Sequence, residues 1–204
     1  AGLFQSDGDA TASGQDGAEA GFFQYKDNDG TAGISDEDRA HIGNPNPDYT
    51  YGLNLMLGYK QFELTAYFYG YQGGDIFNYT KWWTDFWPSF QGQKSTDLLN
   101  NSWTPTNTGA TVPKASNNSN FSTNGVANSY YIEDGSFSRL RNLQLAYNLP
   151  ASTLSSMNLT NARIYIQGVN LFTFTEYTGL DPELGGDDRA FGIDYGNYPL
   201  AKQV

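Results

Sequence analysis

Apolar and polar side chains alternate with a period of two in several stretches of this chain. Leu143, Leu145, Tyr147 and Leu149 project to one side of a pleated strand, and Asn142, Gln144, Ala146 and Asn148 to the other. Upstream, Tyr51, Leu53, Leu55, Leu57 and Tyr59 alternate with Gly52, Asn54, Met56 and Gly58. After a tight turn at Lys60-Gln61, Phe62, Leu64, Ala66 and Phe68 alternate with Glu63, Thr65, Tyr67 and Tyr69. The pattern predicts an all-β chain with strands at about 50–59, 61–71, 137–149 and 162–174. A last strand is predicted to start near Tyr198 and run, incomplete, to 204. A half-buried strand of a soluble sandwich and a strand of a transmembrane barrel both produce this alternation, so the period alone leaves both open.

The connections add a second pattern. They run long (26–48), short (60–61), long (72–135), short (150–160) and long (175–197). A transmembrane barrel has short periplasmic turns and longer extracellular loops, so this order predicts an up-and-down wall with extracellular long loops and a periplasmic C-terminus. Each hairpin arm is close to the roughly 9–11 residues that a tilted strand needs to cross a bilayer. Tyrosines at the arm ends suit an interfacial girdle. Five or six strands are too few for a closed bacterial barrel, and an incomplete wall leaves unpaired edges that lipid does not tolerate. The expectation is therefore one segment of a larger antiparallel barrel. Residues 1–20 read as a loop or frayed end, with a short strand at Gly21–Tyr25.

Composition narrows the reading. A net charge of −11 argues against nucleic acid, which selects a basic footprint. There is no cysteine, and so no disulfide framework or thiol chemistry. No apolar run reaches the length of a transmembrane helix, while a mean hydropathy of −0.56 is compatible with a barrel, whose strands alternate. The first residues lack the basic-then-apolar order of a signal peptide, the expectation being a mature protein or an internal piece. Nothing supports an enzyme: no nucleophile elbow is present, and His41 is the only histidine.

Three collinear blocks carry a family resemblance. Tyr131-Ile132-Glu133-Asp134-Gly135-Ser136-Phe137 leads into Arg139-Leu140-Arg141-Asn142-Leu143 and Ala146-Tyr147. Arg163-Ile164-Tyr165-Ile166 is followed by Asn170-Leu171-Phe172-Thr173-Phe174-Thr175, Tyr177-Thr178-Gly179 and Asp181-Pro182-Glu183. Upstream stand Tyr25-Lys26-Asp27, Asp29-Gly30, Asp38-Arg39, Ile42-Gly43-Asn44-Pro45 and Pro47-Asp48-Tyr49. From about residue 20 onward the chain resembles the C-terminal part of SusC/RagA-type TonB-dependent outer-membrane transporters. The resemblance implies a bacterial outer-membrane importer of glycan or peptide oligomers, a barrel of about 22 strands around a plugged lumen, whose plug, energy-coupling box and remaining wall lie outside this sequence. It also implies a SusD-like surface lipoprotein and the TonB complex as partners, with lipid around the wall. The rivals are a soluble β-sandwich carbohydrate-binding module with calcium-binding loops, and a passive porin.

Candidate site residues follow from this frame. Asn54, Glu63, Asn142, Gln144 and Gln167 are expected to line the lumen, or else to serve as ordinary polar wall residues. The long 72–135 insertion carries all four tryptophans. Trp82, Trp83, Phe86 and Trp87, with Trp103 further on, form either a platform for substrate or partner or a mini-core that folds the loop. Asp27, Asp29, Asp36 and Asp38 are the candidate calcium ligands, because closely spaced oxygens with a glycine turn are what a calcium loop requires. Many members of the resembled family read Asp-x-Asn-x-Asp-Gly here. In this chain the first ligand position falls on Tyr25, and the alternative is an Asx-rich turn. Arg139 and Arg141 are expected to pair with the neighbouring Glu133 and Asp134.

Overall fold

The computed structural model describes residues 2–185 and 188–204. In chain order its strands and helices are β1 (Gly2–Leu3), α1 (Asp7–Ser13), β2 (Phe23–Gln24), β3 (Tyr49–Tyr59), β4 (Phe62–Gln72), β5 (Asp75–Asn78), α2 (Thr80–Asp85), α3 (Thr96–Asn101), β6 (Ile132–Asp134), β7 (Phe137–Asn148), α4 (Ala151–Ser156), β8 (Arg163–Thr175) and β9 (Ile193–Asp194). They fall in two units, one of Ala1–Gly43, Ile76–Glu133 and Ile193–Gly196, the other of Asn44–Asp75, Asp134–Gly192 and Asn197–Val204.

The second unit is built on one antiparallel sheet in the order β3-β4-β7-β8. Lys60, at a φ of 54°, turns β3 into β4 in two residues, and the register puts Tyr59 opposite Phe62 and Leu57 opposite Leu64. Carried across all four strands, the register lays the apolar side chains in rows on one face. Leu57, Leu64, Leu145 and Ile166 form one row, and Leu55, Ala66, Leu143 and Gly168 the next. Aromatic rings close both ends: Tyr59, Phe62 and Tyr147 at one, Tyr51 and Phe174 at the other. This face is not a core. Leu53 is 58% exposed, Leu55 41%, Leu145 45% and Ile166 62%.

Alternation alone would place Arg139 and Arg141 with Leu143 on the apolar face. A bulge prevents this. The pairing slips between Leu140 and Asn142, and Asn170 on β8 takes a φ of 53°. One extra residue inverts the parity of the strand beyond it, because the side-chain period is two. Leu140 therefore joins the apolar rows, and Arg139 lands opposite Tyr69 and Thr173 on the other face.

The strand expected from Tyr198 to Val204 is absent: Gln203 makes a single antiparallel bridge to Val169, with bonds of 2.8 and 3.1 Å. Pro199 has no N–H for a ladder, and the Leu200 N–H is taken by the Asp181 carboxylate at 3.0 Å. Between β7 and β8, the connection holds α4, led in by Pro150.

The first unit corrects two further expectations. Residues 2–20 are not a frayed end. Ser6 caps α1 by accepting from Asp9 N–H at 3.1 Å, Gly14 ends it at a φ of 67°, and Phe4 is buried. The 72–135 stretch is not an open loop either, but supplies β5, α2 and α3 and half of a core. Leu3, Ala20, Phe23, Phe86, Trp103 and Tyr131 form that core, with Trp82, Tyr130 and Phe77 packed on it. Buried Gln15 ties its halves together, donating to the Phe23 carbonyl and to Ser122 Oγ, both at 2.7 Å. At Gly21 the φ is 85°, and a Cβ there would sit 2.5 Å from the Trp103 ring, so only glycine fits.

Candidate functional site

The polar face of the four-stranded sheet collects every lumen candidate. Asn54 lies in a row with Tyr67 and Asn142, Gln144 and Gln167 are direct partners, and Glu63 pairs with Ala146 one row on. Arg163 links them: it donates to Glu63 Oε1 at 2.9 Å and to Gln144 Oε1 at 3.0 Å. Gln144 in turn donates to Gln167 at 3.3 Å. Beside the bulge, the side-chain oxygens of Asn142 and Asn170 are buried without a hydrogen-bond donor among the described residues.

Sequence reasoning missed the densest cluster on this face. Arg139 is 2% exposed. Its guanidinium donates to Thr173 Oγ1 at 2.9 Å, to Glu183 Oε2 at 3.0 Å and to Asp181 Oδ1. Arg141 donates to the other Glu183 oxygen. Asp181 also accepts from the Glu183 and Leu200 N–H groups. The expected pairing with Glu133 and Asp134 is thus replaced by a long-range one. Glu133 binds Lys81 and Asn78, each at 3.0 Å, while Asp134 accepts from Ser136. Burial explains the choice, since a guanidinium withdrawn from water needs carboxylates that close around it. The Asp181-Pro182-Glu183 block was the available signal, but nothing in the sequence joined it to Arg139.

The aromatic candidates divide between core and surface. Phe86 and Trp103 are each 5% exposed in the core of the first unit. Trp82 stacks on Tyr79 at 5.5 Å and donates its indole N–H to the Asn124 carbonyl at 2.8 Å. Trp83 and Trp87 are exposed, with Phe90. The 72–135 insertion thus puts Phe86 and Trp103 in the core, with Trp82 packed on it, and leaves Trp83 and Trp87 at the surface. Trp83 stands edge-on to Trp82 at 4.7 Å. Buried Asp85 accepts from Tyr130 Oη at 2.6 Å; burial first, and then this carboxylate, hold the Tyr130 phenol far above its ordinary value.

Of the calcium candidates, Asp27, Asp29 and Asp38 bring carboxylate oxygens within 4.8 Å of one another. Asp36 is outside that group and pairs with Arg39 at 2.8 Å. Asp38 is engaged by three main-chain donors: Ser35 N–H at 2.8 Å, Asn28 N–H at 2.7 Å and Asp29 N–H at 3.3 Å. Those bonds, Ser35 first and then Asn28, hold its carboxyl below the ordinary range. The loop is thus organised by Asx hydrogen bonding around Asp38.

A sheet with strands of 11 to 13 residues, apolar and unpacked on one face and polar on the other, is a stretch of transmembrane barrel wall. No family model matches the chain. It is 40% identical over 200 residues to TonB-dependent receptor P3 of Formosa agariphila, covering 95% of this chain and 19% of that protein. It is 32% identical over 210 residues to receptor P26 of the same organism, covering 100% and 21%. Solved structures of the RagAB peptide importer match at TM-scores of 0.67 (open-open state) and 0.65 (closed-closed state). Their identities are 32% and 31%; the matches cover 84% and 88% of this chain, and 18% and 19% of those chains. The chain belongs to the TonB-dependent receptors of the SusC/RagA type, which are outer-membrane proteins. It spans about a fifth of the length of the curated relatives it matches.

Proposed function

We propose that this chain forms barrel wall and surface loops of a TonB-dependent importer of oligomers, with its apolar face on lipid and its polar face on the lumen. The observation that carries this is the sorting of the sheet into two faces, apolar rows ringed by aromatics against a hydrogen-bonded polar row. On this reading Asn54, Glu63, Asn142, Gln144 and Gln167 line the transport path. Peptides are the substrate class that the RagAB neighbours favour, and glycan oligomers the alternative. The long loops face outward, and the exposed aromatics Trp83, Trp87 and Phe90 meet a SusD-like lipoprotein, since exposed aromatic side chains are where partners anchor. TonB engages the receptor through parts outside this chain. Calcium at Asp27, Asp29 and Asp38 is a subsidiary proposal, dismissed if calorimetric titration of the full-length receptor gives no heat above buffer.

The sandwich alternative requires an apolar face buried by a second layer, and Leu55 and Leu145 are exposed instead. The test of function is uptake of labelled oligopeptides and glycan oligomers by cells carrying the full-length receptor. Uptake of one class that stops when the proton-motive force is collapsed is the expected result. Uptake that continues unchanged would make the protein a passive pore.

A further inference from the structure

The segment that follows α2 is tied to the rest of its unit at Ser89, whose Oγ accepts from Asn124 at 2.8 Å. Phe86 is buried, but Trp87 and Phe90 face outward without a ring partner among the described residues, and Pro88 and Gly92 interrupt any regular ladder. Lys94 supplies what is missing. Its ammonium donates to the Trp83 carbonyl at 3.1 Å, to the Phe86 carbonyl at 3.0 Å and to the Phe90 carbonyl. It also lies 5.5 Å from the centre of the Trp87 ring and 5.6 Å from that of Phe90. An ammonium has three N–H donors, so these three carbonyls saturate it, and the two rings offer it their negative faces. A lysine spent in this way has no hydrogen left for a ligand. Its loss of water as it enters the nest pulls its ammonium below the ordinary lysine range.

We propose that Lys94 is the positioning residue of the aromatic lip: its ammonium fills a nest made by the Trp83, Phe86 and Phe90 carbonyls and fixes Trp83, Trp87 and Phe90 as one surface. The nest is accordingly a site for a primary ammonium ion, occupied by the chain's own side chain. This rests on the reading of the lip as a partner contact, and its test separates the two.

The test uses hydrogen exchange in the full-length receptor. Lys94→Met keeps the length of the stem and removes the donors. Exchange of the Ser89 and Ser95 amides, bonded to the Phe86 and Thr84 carbonyls, should then quicken by about tenfold, while the Phe23 amide in the core stays as it was. In Lys94→Ala, ethylammonium should restore protection of the segment, whereas tetramethylammonium, which has no N–H, should not. Unchanged exchange in Lys94→Met, or equal rescue by both ions, overturns the proposal. Loosening of the segment with undiminished co-purification of the surface lipoprotein leaves the clasp in place and removes the lip as the contact.

Discussion

Arg139 shows what a single residue decides here. Its charge is buried on the wall, and Asp181, Glu183 and Thr173 close around it from β8 and the segment that follows. Removing Asp181 leaves the buried guanidinium Glu183 as its counter-charge, shared with Arg141, and the cost is at most the roughly 3–5 kcal/mol of a broken buried pair. Asp181→Ala should therefore lower the denaturation midpoint of the full-length receptor and deprotect the Leu200 amide, whose acceptor it also removes. Tyr130→Phe should cost about 1–3 kcal/mol, since it strips buried Asp85 of its phenolic donor. Two pH dependences follow from side chains of the first unit. The Asp38 carboxyl is held below its unfolded value, so its contribution is complete above the ordinary carboxylate range and fades as pH falls through the lower, folded value. Exchange at the Asn28 and Ser35 amides, followed on acidification, should rise only below that range. The Tyr130 and Tyr131 phenols are raised, chiefly by burial, so their contribution is complete below about pH 10 and is lost at more alkaline pH. Loosening of the first unit on alkaline titration, followed by tyrosinate absorbance, checks it.

At the scale of the element, the β3–β4 hairpin was readable in the sequence because period two, arm length and a two-residue turn agree. The bulge in β7 was not. Arg139-Leu140-Arg141-Asn142 looks like continued alternation, and only the pairing of β7 with β4 and β8 shows where the extra residue is absorbed. Nor was the fate of residues 198–204 readable: an aromatic start suggested a strand, and Pro199 with the Leu200–Asp181 bond diverted it. Gly70 marks a close approach within the sheet. A Cβ there would stand 2.2 Å from the Phe137 carbonyl oxygen, a main-chain atom held by the ladder. Gly70→Ala should cost about 1–3 kcal/mol in overpacking and lower the melting temperature of the receptor. The two faces also predict opposite tolerances. Leu55→Arg places a charge in the apolar rows and should cost about 2–4 kcal/mol near the bilayer midplane, whereas Asn54→Arg, one residue away, should cost far less. Folding titrations into lipid vesicles measure the difference.

For the whole molecule, the wall was legible and the core of the first unit was not. The wall repeats a two-residue period along each strand, and a window of sequence contains it. The core takes Leu3, Phe23, Phe86, Trp103 and Tyr131 one at a time from segments far apart, so no window shows a period. The tryptophans of the 72–135 segment were conspicuous, but whether each turned inward or outward depended on contacts such as Trp82 with Asn124 and Trp103 with Gln5. The central claim is that the apolar rows face lipid. A nitroxide scan through residues 53–58 of the full-length receptor, reconstituted in a bilayer, tests it directly by collision with oxygen and with a water-soluble nickel chelate. Labels at Leu53, Leu55 and Leu57 should meet oxygen and escape the chelate, while labels at Asn54, Met56 and Gly58 should do the reverse. Accessibility that fails to alternate, or chelate access at the three leucines, would contradict it.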